Sequence, residues 1–171
     1  MTERRNGLVR RALRGAGAGT LATGLMSSVM VGGQKAGLVG EMPPEKITAK
    51  MLRHSGIAHS EGQQDALATL LHFGFGAAAG SVFGVLAPRR LIVRVPAGMA
   101  YGAAIWGVSY MGWVPAFGIM PAADRDRSDR QAVMLAGHLI YGTALAIMVG
   151  SRIRQTGDGV EGRCPGLTPG R

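Results

Sequence analysis

Residues 66–88 read ALATLLHFGFGAAAGSVFGVLAP and contain no charged side chain. A transmembrane helix needs about 20 consecutive, mostly apolar residues to cross a hydrocarbon core about 30 Å thick. Residues 131–151 (QAVMLAGHLIYGTALAIMVGS) meet the same requirement. These two stretches predict a chain that is built from membrane-crossing helices.

Two further windows lack charged residues, at 15–34 and at 95–123. The first consists mainly of small residues, and the second is too long for one straight helix. Pro115 is expected to end that helix, which places the third span at 95–115. We therefore predict an all-α, polytopic membrane protein with four transmembrane helices. A soluble helical bundle is the alternative, but it would need polar residues at regular intervals along each helix.

The composition and the charge distribution agree with a membrane location. Only 17% of the residues are charged and 47% are apolar, which excludes intrinsic disorder, and the single cysteine excludes a disulfide scaffold. Of the 19 Lys and Arg residues, twelve fall in the N-terminal segment, the turn between the second and third spans, and the tail. The positive-inside rule then places both termini in the cytoplasm of a bacterial inner membrane. We read the net charge of +9 as a topology signal, with the lipid bilayer and not nucleic acid as the partner.

The segments outside the spans have simple interpretations. Residues 1–14 form a basic cytoplasmic N-terminus that leads into a retained first helix, because no convincing cleavage site follows it. The loop at 35–65 is expected to contain a short interfacial helix, with Pro44 at its start and Gly56 just past its end. Residues 152–171 are rich in Gly, Pro and charge, and they are expected to be a disordered cytoplasmic tail.

Small residues recur at every fourth position of the predicted spans, which places them on one helix face. Such faces allow membrane helices to approach closely. The series comprises Gly24 and Ser28 in the first span, Gly76, Gly80 and Gly84 in the second, Gly98 and Gly102 in the third, and Gly142, Ala146 and Gly150 in the fourth. The pattern is compatible with packing inside a monomer and with assembly of a homo-oligomer.

A faint internal repeat is also visible. Gly-Glu-Met-Pro at 40–43 follows the first span, and Gly-Ile-Met-Pro at 118–121 follows the third. Each motif precedes an outer loop and a span that carries His-xxx-Gly. Two parallel two-helix repeats, related by an axis along the membrane normal, would produce this pattern.

His72 and His138 head the small-residue series of the second and fourth spans, about 9–10 Å from their outer ends at 1.5 Å per residue. Ionisable residues inside a membrane span indicate a functional site by default. The two rings are expected to hold neighbouring helices by hydrogen bonds, to form a proton or ligand site, or to bind a metal with Glu41 as the carboxylate. No cofactor is predicted, since the chain has no phosphate-binding loop, cysteine pair or paired carboxylates within a span.

Four features together resemble the YagU-type (DUF1440) family of bacterial inner-membrane proteins. They are Gly-Glu-Met-Pro-Pro at 40–44, His72, the Pro115–Pro121 segment, and Gly137-His138. The similarity would cover roughly residues 15–150 as short islands. It implies a four-helix inner-membrane protein and supplies no activity.

The sequence therefore predicts an integral inner-membrane protein with a non-enzymatic role and a periplasmic-side histidine site. Two alternatives stay open. One is a small oligomeric transporter or channel, and the other is a metal-binding membrane enzyme.

Overall fold

A computed structural model describes residues 2–38, 43–55, 60–118 and 126–151 of the chain. Within these residues the structure is helical and has no strand. The elements are α1 (Thr2–Lys35), α2 (Pro43–Ser55), α3 (Glu61–Leu86), α4 (Leu91–Gly107), a π-helical segment (Val108–Trp113), α5 (Val114–Ala116) and α6 (Ser128–Ser151). The predicted all-α class is confirmed, and α2 occupies the loop in which a short helix was expected.

Three stretches are long and apolar enough to cross a membrane, namely Glu61–Leu86, Leu91–Ala116 and Ser128–Gly150. Each begins three to five residues before the corresponding charge-free window. The α3 helix shows why, because Ser60 and Gln63 form a reciprocal capping box and Glu61 lies in the first turn. Acidic and capping residues stabilise a helix start, so helices extend beyond the apolar window. The helix α1 is not among these three stretches.

Neighbouring helices run antiparallel in the bundle. Arg11 near the start of α1 contacts Gly84 near the end of α3, and Arg94 near the start of α4 contacts Ala146 near the end of α6. The helix α1 also packs against α6. One end of the bundle therefore contains both arginines, and we call it the arginine end; α2 lies at the opposite end.

Helices α1 and α3 meet through glycine backbone. A methyl group added at Gly15 would overlap the carbonyl oxygen of Gly80, and one added at Gly19 would overlap that of Gly76. At Gly84 the added atom would lie 2.8 Å from the Cα of Gly15. No side chain larger than hydrogen fits at these points, so the two backbones are in direct contact.

Helices α4 and α6 meet in the same way. A methyl group at Gly98 would overlap the Gly142 carbonyl oxygen and would lie 2.7 Å from the Cβ of Ala146. At Gly102 it would overlap the carbonyl oxygen of His138. These glycines therefore make their close contacts within one chain.

In the structure, α1 packs on α3 through Gly15 and Gly19 and not through the predicted pair Gly24 and Ser28. Ser28 is exposed and its hydroxyl donates to the Gly24 carbonyl of its own helix, at 2.9 Å. A methyl group at Gly24 would come no closer than 4.0 Å to a neighbour, the ring of Phe73. The helix contains several series of small residues, and the one formed by Gly15 and Gly19 is the face that packs.

Two arginines hold carbonyl groups at the helix ends. Arg11 donates to the carbonyls of Gly84 and Ala87, both at 3.2 Å. Arg94 is only 5% exposed, and it donates to the carbonyls of Ala146 at 2.7 Å and Arg89 at 3.1 Å. Gly150 lies against the Arg94 guanidinium and not against a helix backbone, because a methyl group there would overlap that side chain. Cations at helix C-termini stabilise the unpaired carbonyls and the helix dipole.

The two helix pairs use contact residues at identical spacing. Arg-xxx-Gly-xxx-Gly occurs at 11–19 of α1 and at 94–102 of α4. The first arginine bonds Gly84 and the second bonds Ala146, while the central glycines meet Gly80 and Gly142. This correspondence supports two equivalent halves, but it aligns Gly142 with Gly80 and therefore does not align His138 with His72.

The backbone contact predicts different effects of alanine substitution at two nearby glycines of α1. Gly19→Ala should lower the free energy of unfolding by about 1–3 kcal/mol, because the added methyl group has no space. Gly17 is exposed and has nothing within 4 Å, so Gly17→Ala should leave stability unchanged or raise it by up to about 1 kcal/mol. Unfolding in mixed micelles, followed by circular dichroism against added dodecyl sulfate, measures both. Equal effects of the two substitutions would contradict the contact.

Candidate functional site

A cavity of about 730 Å³ lies among α1, α2, α3, α4, the π-helical segment, α5 and α6. Its volume is typical of sites that hold a small organic molecule. Met26, Met30, Ile47, Phe75 and Met134 supply much of its apolar surface. These residues place the cavity in the half of the bundle that is remote from the arginine end.

The cavity begins where the glycine contacts stop. Along α1, the packed face continues from Gly19 to Thr23, Met26 and Met30, whose side chains are buried and much larger than glycine. Thr23 fills the space against Gly76, and its hydroxyl donates to the Gly19 carbonyl at 2.8 Å. Beyond this point side chains separate the helix backbones, which leaves an internal space.

Two tyrosines connect α3 to the other helices at this level. The Tyr141 hydroxyl of α6 donates to the Gly76 carbonyl, and the Tyr101 hydroxyl of α4 donates to the Ala79 carbonyl, both at 2.8 Å. The ring of Tyr101 also packs on Phe83, with centroids 5.2 Å apart. Tyr141 lines the cavity, so these bonds fix the end of the cavity that faces the glycine contacts.

The cavity opens on the outer surface of the bundle. Leu70 is 68% exposed and Phe75 is 52% exposed, although both residues line the cavity. Ile105 and Ser109 also line the cavity. The exposed lining residues Leu70 and Phe75 place an apolar mouth at the outer surface of α3.

The π-helical segment supplies part of the wall. Its backbone leaves helical geometry at Gly112, where φ and ψ are both −105°. Ser109 and Tyr110 line the cavity, and the Tyr110 hydroxyl donates to the carboxylate of Asp126. The Lys50 ammonium of α2 donates to the Gly118 carbonyl at 3.1 Å. Such π-helical segments occur frequently at functional sites.

Both predicted histidines line this one cavity. His72 lies eleven residues after the start of α3 and His138 ten residues after the start of α6, about 15–17 Å along each helix. This depth exceeds the predicted one because both helices begin before their charge-free windows. The Nδ1 atom of His138 lies 2.8 Å from the Met134 carbonyl oxygen, so Nδ1 donates there and Nε2 is left as an acceptor in the neutral ring.

A second cavity of about 240 Å³ shares His72 with the first. Its wall is more polar and includes Glu45, Asp65 and Gln34. His72 therefore lies between an apolar cavity and a space that carries acidic side chains.

The predicted metal site rests on Glu41, which lies outside the described residues. Among the residues that the structure describes, no group of three His, Cys, Asp or Glu side chains could hold a metal ion. The cavity wall contributed by described residues has no Asp, Glu, Lys or Arg. Its polar groups are the two histidine rings, the hydroxyl groups of threonine, serine and tyrosine side chains, and one indole N–H.

Two wall residues were not predicted as site residues. The hydroxyl oxygen of Thr48 and the indole nitrogen of Trp106 are buried and have no hydrogen-bond partner. Thr48 lies beside Ile47 on the face of α2 that packs on the bundle. A polar side chain on the apolar face of α2 was the signal in the sequence, whereas nothing in the sequence marks Trp106.

A family model described as "Protein of unknown function (DUF1440)" matches residues 41–147, which is more than half of the chain. The chain belongs to this family, as the resemblance in the sequence implied. The matched region contains both cavity histidines, Thr48 and Trp106, but α1 lies before it. Comparisons with curated proteins and with solved structures found no match.

The contact of His138 with Met134 predicts the Nδ1–H tautomer for the neutral ring. Nitrogen-15 spectra of histidine-labelled protein in bilayers distinguish a protonated Nδ1 from a protonated Nε2, and His138→Gln assigns the signal. A neutral His138 protonated at Nε2 would mean that the carbonyl contact is absent.

Proposed function

We propose that this member of the DUF1440 family is an integral membrane protein with four crossings, of which α1 is the first. Support comes from the contact between α1 and α3, which extends from Arg11 against Gly84 to Thr23 against Gly76. A helix in direct backbone contact with a membrane-crossing helix over this length must share its depth. The outer side of α1 carries exposed Leu13, Leu21 and Leu25, which suit contact with lipid.

The proposed orientation places the arginine end in the cytoplasm of a bacterial inner membrane. Arg4, Arg5, Arg10, Arg11 and Arg14 occupy the first half of α1, and Arg89, Arg90 and Arg94 lie at the turn into α4. The opposite end carries fewer basic residues, together with most of the described acidic ones. This asymmetry is the one that the positive-inside rule describes.

Cysteine labelling at the two ends of α1 tests the fourth crossing and the orientation together. With Cys164→Ser as the background, Lys35→Cys should react with a membrane-impermeant maleimide in intact spheroplasts. Glu3→Cys should react only after lysis, since it lies at the other end of the helix. Reaction of both positions from the same side would rule out a crossing by α1.

Within this topology, the proposed role is non-enzymatic binding of an apolar molecule that enters from the bilayer. The observation that carries the proposal is the 730 Å³ apolar cavity with its mouth at Leu70 and Phe75. A mouth on the lipid-facing surface gives access to molecules dissolved in the membrane without passage through water. His72 and His138 would contact the bound molecule from the wall.

Quenching of Trp106 tests occupancy of the cavity. In a Trp113→Phe background, a bromine-labelled alkane should quench Trp106 with saturation, because Trp106 lines the cavity. Ser109→Phe places a ring in the cavity and should abolish the saturable part. Val108→Phe is the matched control, since Val108 is the exposed neighbour of Ser109. Linear quenching that neither substitution changes would indicate collision from the bilayer and no bound molecule.

A further inference from the structure

The cavity wall contains two polar atoms that the protein leaves unpaired. Thr48 is 1% exposed, and its hydroxyl has no hydrogen-bond partner; the same is true of the Trp106 indole N–H. An unpaired buried polar group destabilises a protein, because it has lost its hydrogen bonds to water without gaining others. Buried polar groups in native structures are nearly always paired, so two on one cavity wall require an explanation.

His138 adds a third polar atom that can form a further hydrogen bond. Its Nδ1 is committed to the Met134 carbonyl, which leaves Nε2 as an acceptor on a side chain of the cavity wall. The three groups belong to α2, α4 and α6, and they differ in chemistry. The indole only donates, Nε2 of the neutral ring only accepts, and the threonine hydroxyl can do both.

The same wall has no permanently charged side chain that could pair with a charged ligand. None of its described residues is Asp, Glu, Lys or Arg. Two basic side chains at this end of the bundle are engaged elsewhere, since Lys50 bonds the Gly118 carbonyl and Arg130 lies 3.5 Å from Asp126. A charged head group in this cavity would lose its hydration without gaining a permanently charged counter-ion from the described wall, which is unfavourable.

We propose that the ligand is an uncharged amphiphile, with an apolar chain or ring system that carries a hydroxyl or carbonyl group. The apolar part occupies the space between Met26, Met30 and Phe75. The polar group accepts a hydrogen bond from Trp106 or Thr48, and a hydroxyl also donates to His138. This inference rests on the proposed binding function and specifies the chemical class of its ligand.

Three probes of equal chain length test the proposed ligand class separately from the proposed binding function. They are tritiated dodecane, dodecanol and dodecyltrimethylammonium, and retention by protein in nanodiscs is measured against the Ser109→Phe variant as background. Dodecanol should bind about tenfold more tightly than dodecane, because its hydroxyl group forms one or two additional hydrogen bonds. A tenfold change in affinity corresponds to about 1.4 kcal/mol. Thr48→Val and Trp106→Phe should each reduce this ratio severalfold and leave dodecane binding unchanged. Thr143→Val is the control, because the Thr143 hydroxyl bonds the Leu139 carbonyl outside the cavity.

Each other outcome overturns a specific claim. Equal binding of dodecane and dodecanol, or a ratio that survives both substitutions, would overturn the ligand class and retain the cavity as a binding site. Binding of dodecyltrimethylammonium as tight as that of dodecanol would overturn the requirement for an uncharged group. Failure of all three probes to exceed the Ser109→Phe background would overturn the proposed function itself.

Discussion

Direct backbone contact at glycine sets the geometry of the whole bundle. Gly15 and Gly19 meet Gly76, Gly80 and Gly84 in one helix pair, and Gly98 and Gly102 meet Gly142 in the other. Inside a membrane no hydrophobic force drives helices together, so close packing of this kind supplies the attraction. Arg11 and Arg94 extend each contact by binding the carbonyls where the partner helix ends.

The cavity follows from the place where this contact ends. Larger side chains replace glycine toward the α2 end, and Tyr141 and Tyr101 fix α3 to its neighbours at the boundary. The result is a tightly packed half near the arginine end and an internal space in the other half, which α2 and the π-helical segment help to line. The unpaired Thr48 and Trp106 groups lie in the half that carries the space.

The helices could be predicted from the sequence because charge is nearly absent from their interiors, and His72 and His138 stood out because ionisable side chains are rare there. Other features depend on how each helix is rotated about its axis. The helix α1 has two faces with small residues at every fourth position. Only the packed structure shows that the face with Gly15 and Gly19, and not the one with Gly24 and Ser28, contacts α3. The cavity, its mouth at Phe75 and the unpaired Trp106 nitrogen arise from the arrangement of several helices, which no local pattern encodes.

Solid-state NMR of glycine-labelled protein in lipid bilayers tests the backbone contact most directly. Carbon-13 correlation spectra should show short-range interhelical cross-peaks between the Cα atoms of Gly80 and Gly19, and between the backbone carbons of Gly142 and Gly98. Replacing Gly80 or Gly142 by valine removes the label at that position and therefore assigns the corresponding cross-peak. Spectra of the folded wild-type protein that lack these cross-peaks would show that side chains separate the helices, and would contradict the architecture proposed for this membrane protein.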